Sequence, residues 1–174
     1  DQPVGCVFDS NNELFCSASG IDKTLGAGFY YYDKSNDKFI SKNLNVSNNA
    51  QKPIIKDKIL YIPVPRVGGL IMYDYNNTPS SFSDDKFKLI TKDNNLPVSQ
   101  VYSVNVDNND DVWIGTKEGL RILSNPKAAI LESNPQTDPI IIEQNGIGEE
   151  LFKDAEILQI AVDKKNKKWI SIGG

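Results

Sequence analysis

Three stretches of this chain repeat one plan at the level of single residues, and that recurrence constrains the fold more than any other feature. Residues 4–17 read VGCVFDSNNELFCS, residues 102–115 read YSVNVDNNDDVWIG, and residues 158–171 read LQIAVDKKNKKWIS. In each, an alternating apolar segment ends at an aspartate (Asp9, Asp107, Asp163), a polar turn follows, and an aromatic arrives six residues after the aspartate (Phe15, Trp113, Trp169). Period-two alternation is the pattern of a strand with one buried face, and an Asp/Asn/Lys-rich turn between two such strands makes a hairpin. A second hairpin, opened by a glycine and a large apolar residue, follows from Gly28, from Gly68 and from Gly119. Each complete unit is therefore expected to be a four-stranded meander.

The interval from Asp9 to Asp107 is nearly twice that from Asp107 to Asp163, so a degenerate copy is expected between them. KPIIKDKILYIPVPRVGGL supplies it, with Tyr61 or Ile62 in the aromatic position. Four-stranded units of this length stacked in series are the pattern of a β-propeller, whose radial blades protect one another's edges. The expected fold is all-β: a partial β-propeller over 1–174 with blades at about 3–45, 50–93 and 97–145, and the first hairpin of a fourth at 156–174. Residues 146–159 are expected to form a loop with one helical turn. Closed propellers have about 4–8 blades, so the chain is expected to be a piece of a longer protein. Its expected partners are the remaining blades or domains of that parent, together with further copies of itself through exposed strand edges.

The chemistry available to such a chain is narrow. Histidine is absent from the 174 residues, which removes imidazole acid/base catalysis and His-based triads or zinc sites. The two cysteines lie in one predicted hairpin and form neither a CxxC pair nor a metal knuckle. Neither an enzymatic activity nor a cofactor is expected. The net charge of −4 and the scatter of basic residues, apart from DKKNKKW at 163–169, leave no basic face for nucleic acid. No apolar run approaches the length needed to span a bilayer as a helix, so this segment is not expected to cross a membrane.

Residues 94–123, NNLPVSQVYSVNVDNNDDVWIGTKEGLRIL, resemble the two-component regulator propeller repeat, matching it at Leu96, Pro97, Val101, Val104, Asp107, Trp113, Ile114, Gly115, Thr116, Gly119 and Leu120. The closing segment ILQIAVDKKNKKWISIGG follows the same pattern, with Ser171 and Ile172 where Gly and Thr are expected, and is also similar to PorZ-like propellers of type IX secretion. The resemblance implies an extracytoplasmic location, in the periplasm or at the outer cell surface of a Bacteroidetes-type bacterium. It implies a non-catalytic sensor module with an oligosaccharide as the ligand class, or alternatively a structural scaffold of a secretion system that meets a surface protein.

Most of the conspicuous residues read as architecture. Asp9, Asp107 and Asp163 are turn residues; Phe15, Trp113 and Trp169 are expected to pack between blades; Gly115 and Gly119 are expected to give backbone freedom at strand ends, beside Thr116. Asp107, Asn109 and Asp111 have the spacing that opens a calcium loop, but Val112 stands where the sharp turn needs glycine, so no metal is expected. Pairing Phe8 with Leu14 sets Cys6 opposite Cys16. Two small thiols in place of aliphatics is the favoured reading, and a cross-strand disulfide is the alternative. As a strand, FYYY at 29–32 turns two rings inward and two outward, which makes Tyr30 and Tyr32 candidates for stacking on a sugar. Arg66, in the VPRVGG loop, is the other candidate ligand-binding residue.

Overall fold

A computed structural model describes residues 2–19, 29–42, 44, 50–66 and 68–174. The first sheet runs in order β1 (Gln2–Phe8), β2 (Leu14–Ser19), β3 (Phe29–Asp33) and β4 (Lys38–Ser41). The second repeats that order with β5 (Ile54–Lys56), β6 (Ile59–Val64), β7 (Gly69–Asp74) and β8 (Lys86–Ile90). A third sheet is built from β9 (Val101–Val106), β10 (Val112–Thr116) and β11 (Gly119–Leu123). A separate hairpin, β12 (Ile141–Gln144) with β13 (Ile147–Glu150), precedes a last pair, β14 (Ile157–Val162) with β15 (Lys168–Ile172). All paired strands are antiparallel neighbours in sequence, as short polar turns require.

The sheets stack face to face, and one rule holds at each junction. The face of the first sheet that carries Phe15, Phe29 and Tyr31 packs on Leu60, Ile62, Ile71 and Tyr73 of the second. The opposite face of the second sheet, with Ile59, Tyr61, Leu70 and Met72, packs on Val104, Val112 and Ile114 of the third. Trp113, on the far face of the third, lies with Ile157, Ile160 and Ile170 of the last pair. Tyr61, not Ile62, thus occupies the place of Phe15 and Trp113. Each junction is an apolar layer between two half-polar strands, and burial of this kind stabilises by about 25 cal/mol per Å² of apolar surface.

Close approach of the sheets explains one glycine. A Cβ on Gly115 would stand 2.4 Å from Ser103 Oγ and 2.6 Å from Ile157 Cγ2, so the bare backbone is what lets the last pair seat against the third sheet. Backbone freedom, expected of both Gly115 and Gly119, applies to Gly119, whose φ is +135°. Gly28 lies outside the described residues.

Two expectations need correction. The third unit is not a four-stranded meander: after β11, Asn125 and Pro126 open a short helix, α1 (Pro126–Ala129), and among the described residues the returning chain pairs its backbone with β11 only at the Ile122–Asp138 bridge. Pro135 and Pro139 flank that bridge and lack the N–H groups a fourth ladder would need. Residues 147–150 are strand rather than loop: Asn145 (φ 53°) and Gly146 (φ 78°) form a two-residue turn of the left-handed kind that closes a hairpin. Arg121, buried on β11, holds that hairpin through Glu150.

Candidate functional site

The recurring aspartates share one geometry. Asp9 Oδ1 accepts the backbone N–H groups of Asn11 (2.8 Å) and Glu13 (2.7 Å); Asp107 does the same for Asn109 (2.8 Å) and Asp111 (3.1 Å), and Asp163 for Lys165 (2.8 Å) and Lys167 (2.9 Å). The third residue after each aspartate, Asn12, Asp110 and Asn166, is left-handed (φ 66°, 67° and 63°), a conformation that Asn and Asp tolerate. The second carboxylate oxygen takes a side chain. Trp113 Nε1 donates to Asp107 Oδ2 (3.2 Å) and Trp169 Nε1 to Asp163 Oδ2 (3.4 Å). Phe15 has no donor, and Tyr75 of the second sheet supplies one to Asp9 Oδ2 (2.6 Å) while its ring lies 4.8 Å from that of Phe15.

Asp107 is also joined to the next sheet by Lys168 Nζ (2.7 Å), which sits 4.9 Å over the Trp113 ring. Burial alone would raise the Asp107 carboxyl, but Lys168, the two turn amides and Trp113 together hold it below the usual carboxylate range. Both its oxygens serve protein donors, so the calcium-like spacing at 107–111 is a turn clamp.

A recess of about 210 Å³ opens where the second and third sheets meet at their turn ends. Three separate segments form it: Lys56, Asp57, Ile59 and Tyr61; Val106, Asn109 and Asp110; and Asn125, Pro126 and Lys127. Its charges are mutually paired, Lys56 with Asp110 and Lys127 with Asp57, each at 2.7 Å, so the lining is neutral overall. Tyr61 is only 1% exposed, and its hydroxyl has no hydrogen-bond partner among the described residues. Burial, then the carboxylates of Asp57 and Asp110, push that phenol above its ordinary value and keep it a proton donor. The lining offers hydroxyl, amide, ammonium and carboxylate groups around an apolar floor, which suits a small neutral ligand rich in hydroxyls.

The expected ligand residues lie elsewhere and apart from each other. Arg66 is exposed in the β6–β7 loop, at the strand ends remote from the recess. Tyr30 and Tyr32 are half-buried on the face of the first sheet that turns away from the second, while Phe29 and Tyr31 point into the core, as alternation requires. Tyr32 donates to Asp37 and packs 5.1 Å from Phe39. Phe15 is fully buried, whereas Trp169 is 64% exposed because no described sheet lies on its face. Thr116, buried, donates through Oγ1 to Gly119 O (2.8 Å) and accepts Glu118 N (3.1 Å), closing the turn into β11.

Phe8 pairs with Leu14 and Cys6 with Cys16, in the expected register, but the cysteines are joined in a disulfide, which overturns the reading of two separate thiols. Their facing Cβ vectors across one strand pair bring the sulfurs together. Unforeseen in sequence was a buried cation: Lys42 lies 3.3 Å from Asp85 and 3.8 Å over the Phe82 ring, and Tyr73 donates to the same carboxylate. Burial lowers the Lys42 ammonium below its ordinary value despite Asp85. The group ties the end of the first sheet to the β7–β8 loop. Among the described residues no helix is long and apolar enough to cross a membrane.

No protein-family model matches the sequence, and no curated protein matches it significantly. Solved structures do share its fold. PorZ, a surface component of the type IX secretion system of Porphyromonas gingivalis, superposes with a TM-score of 0.79 at 18% identity over 99% of this chain and 25% of its own. The extracellular domains of two hybrid two-component systems of B. thetaiotaomicron superpose at TM-scores of 0.59 (18% identity, 97% of this chain, 20% of that one) and 0.55 (16%, 99% and 26%). The chain thus spans a fifth to a quarter of these relatives' lengths. Its stacked antiparallel sheets are blades of a β-propeller, arranged as in PorZ and in those sensor ectodomains.

Proposed function

We propose that this chain is part of an extracytoplasmic, non-catalytic recognition propeller, and that the Tyr61 recess receives a sugar ring of an oligosaccharide. The observation that carries the reading is the recess itself: the Tyr61 hydroxyl, without a hydrogen-bond partner among the described residues, and walls of charges that already neutralise one another. A charged ligand would have to displace an ion pair, whereas a neutral polyol bonds to both pairs as they stand. Two further observations support the setting. The structural relatives are an extracellular sensor domain or a surface component, and the Cys6–Cys16 disulfide fits an oxidising compartment. Arg66, on its exposed loop, and Tyr30 and Tyr32, on the outer face of the first sheet, remain separate candidates.

A structural role at the cell surface is the competing reading, favoured by the TM-score to PorZ, 0.79 against 0.59 for a sensor ectodomain. Calorimetric titration of the chain with a panel of neutral and acidic oligosaccharides separates the two. The recognition reading expects saturable binding of a neutral member that Tyr61→Phe weakens by about tenfold, the loss of one buried hydrogen bond. Silence across the panel favours the scaffold.

A further inference from the structure

Lys42 and Asp85 meet at the junction of the first two sheets, in surroundings poorly suited to ions. The lysine side chain is fully buried and that of the aspartate only 9% exposed, with Nζ 3.3 Å from Asp85 Oδ2. Aromatic rings close the site: the ammonium lies 3.8 Å from the centre of the Phe82 ring and 5.6 Å from that of Tyr73. It also donates to Ser81 O at 3.2 Å. Asp85 Oδ2 accepts the Tyr73 hydroxyl as well, whereas Oδ1 is buried and has no hydrogen-bond partner among the described residues. Taking two charges out of water is costly, and a buried carboxylate oxygen with no donor adds to that cost.

Both partners are held by their backbones. Lys42 N donates to Phe29 O at 2.9 Å just after β4, and Asp85 directly precedes β8, whose Lys86 pairs with Asp74. Groups fixed side by side in this way react as if at very high concentration. Burial also lowers the ammonium below its ordinary value, which favours the neutral, nucleophilic amine. We infer that Lys42 and Asp85 condense into an amide that joins the first two sheets covalently, a cross-link made by the folded chain itself. A proton passes from Lys42 Nζ to the carboxylate, leaving a neutral amine beside a neutral carboxyl group. The amine lone pair forms the new bond to Asp85 Cγ. Nζ then releases a second proton, Oδ2 leaves with both protons as water, and Oδ1 stays as the amide carbonyl. Tyr73 donates to the departing oxygen and is itself unchanged, and nothing is oxidised or reduced. The product carries no buried charge, and the unpartnered Oδ1 becomes part of a neutral group.

The cross-link neither requires nor excludes a sugar in the Tyr61 recess. Its test is the intact mass of the purified chain after reduction of the disulfide, together with a tryptic peptide map. The expected mass is one water below that of the sequence with both cysteines reduced. The map is expected to hold one branched peptide in which Lys42 and Asp85 are joined, with no cleavage after Lys42. Lys42→Arg keeps the positive charge but cannot form this amide, so it should show the full sequence mass, as should Asp85→Ala, with far-UV circular dichroism to verify that each is folded. The full sequence mass for the unaltered protein after prolonged incubation overturns the proposal. So does a water loss that Lys42→Arg retains, which is a succinimide at an aspartate, and so does a branch that maps to any other pair of residues.

Discussion

Removing the Asp107 carboxylate while leaving its repeat partner Asp163 as a control separates what the turn is worth from what the junction is worth. Both residues accept two turn amides at 2.8–3.1 Å, so both alanine variants lose the same turn hydrogen bonds. Only Asp107 is buried, at 2% exposure, and only Asp107 faces an ion-paired lysine on the next sheet. For Asp163, half-buried and without an ion-paired lysine, the lost bonds compete with water, so Asp163→Ala is expected to be the milder of the two losses. Asp107→Ala leaves Lys168 and the Trp113 indole N–H without their partner, with the lysine side chain 18% exposed. Stranding a largely buried charge adds about 2–3 kcal/mol, so the total is expected near 3–4 kcal/mol. Urea unfolding followed by circular dichroism reads both, with unchanged m-values as the sign that only stability moved. Equal losses for the two variants would refute the argument, since the carboxylate would then serve its own turn and nothing beyond it.

Reduction of Cys6–Cys16, or the double change to serine, should cost about 2–3 kcal/mol, the loop-closure value for cysteines separated by 10 residues; an unchanged denaturation midpoint with and without reductant would contradict this. Gly115→Ala should destabilise by about 1–3 kcal/mol because the added Cβ meets Ile157, and Ile157→Ala in the same chain should recover part of the loss. Asp107 has a folded-state value held below 3.8, so its contribution is present above that pH and is lost as pH falls through the lower folded value. Acid titration of the unaltered protein should therefore show a steeper loss of stability below about pH 4 than Asp107→Asn does; parallel curves would be the contrary result.

Much of the architecture is legible in the sequence because it is local. The aspartate, the left-handed residue three places on and the aromatic six places on form one turn, and their spacing records its hydrogen bonds directly. The register of β1 on β2 follows from the same turn, so Cys6 opposite Cys16 can be read without a structure; whether the sulfurs join depends on sub-ångström geometry that residue spacing does not encode. The shortfall of the third sheet was written in Pro126, Pro135 and Pro139, each a lost donor, but the strength of the repeat signal upstream masked it. The Asn145–Gly146 turn is a strong hairpin signal of its own, hidden by the helical look of GIGEELFKDAEILQ. The Tyr61 recess was not legible, since its first wall, residues 56–61, precedes the other two, 106–110 and 125–127, by some fifty residues or more and meets them only when two sheets stack. Its one local trace is IKDKI at 55–59, where lysines flank a turn aspartate. Lys42 gave no trace, because a lysine reads as surface until a loop some forty residues on folds Asp85 and Phe82 over it.

The measurement that bears most directly on the account is a two-dimensional amide NMR titration of the chain with the oligosaccharide panel. One neutral member is expected to shift the amides of residues 56–61, 106–110, 125 and 127 together, saturably, and Tyr61→Phe to weaken the response. Shifts confined to Arg66, Tyr30 and Tyr32, or none with any member, would contradict the placement of recognition in the recess between the second and third sheets.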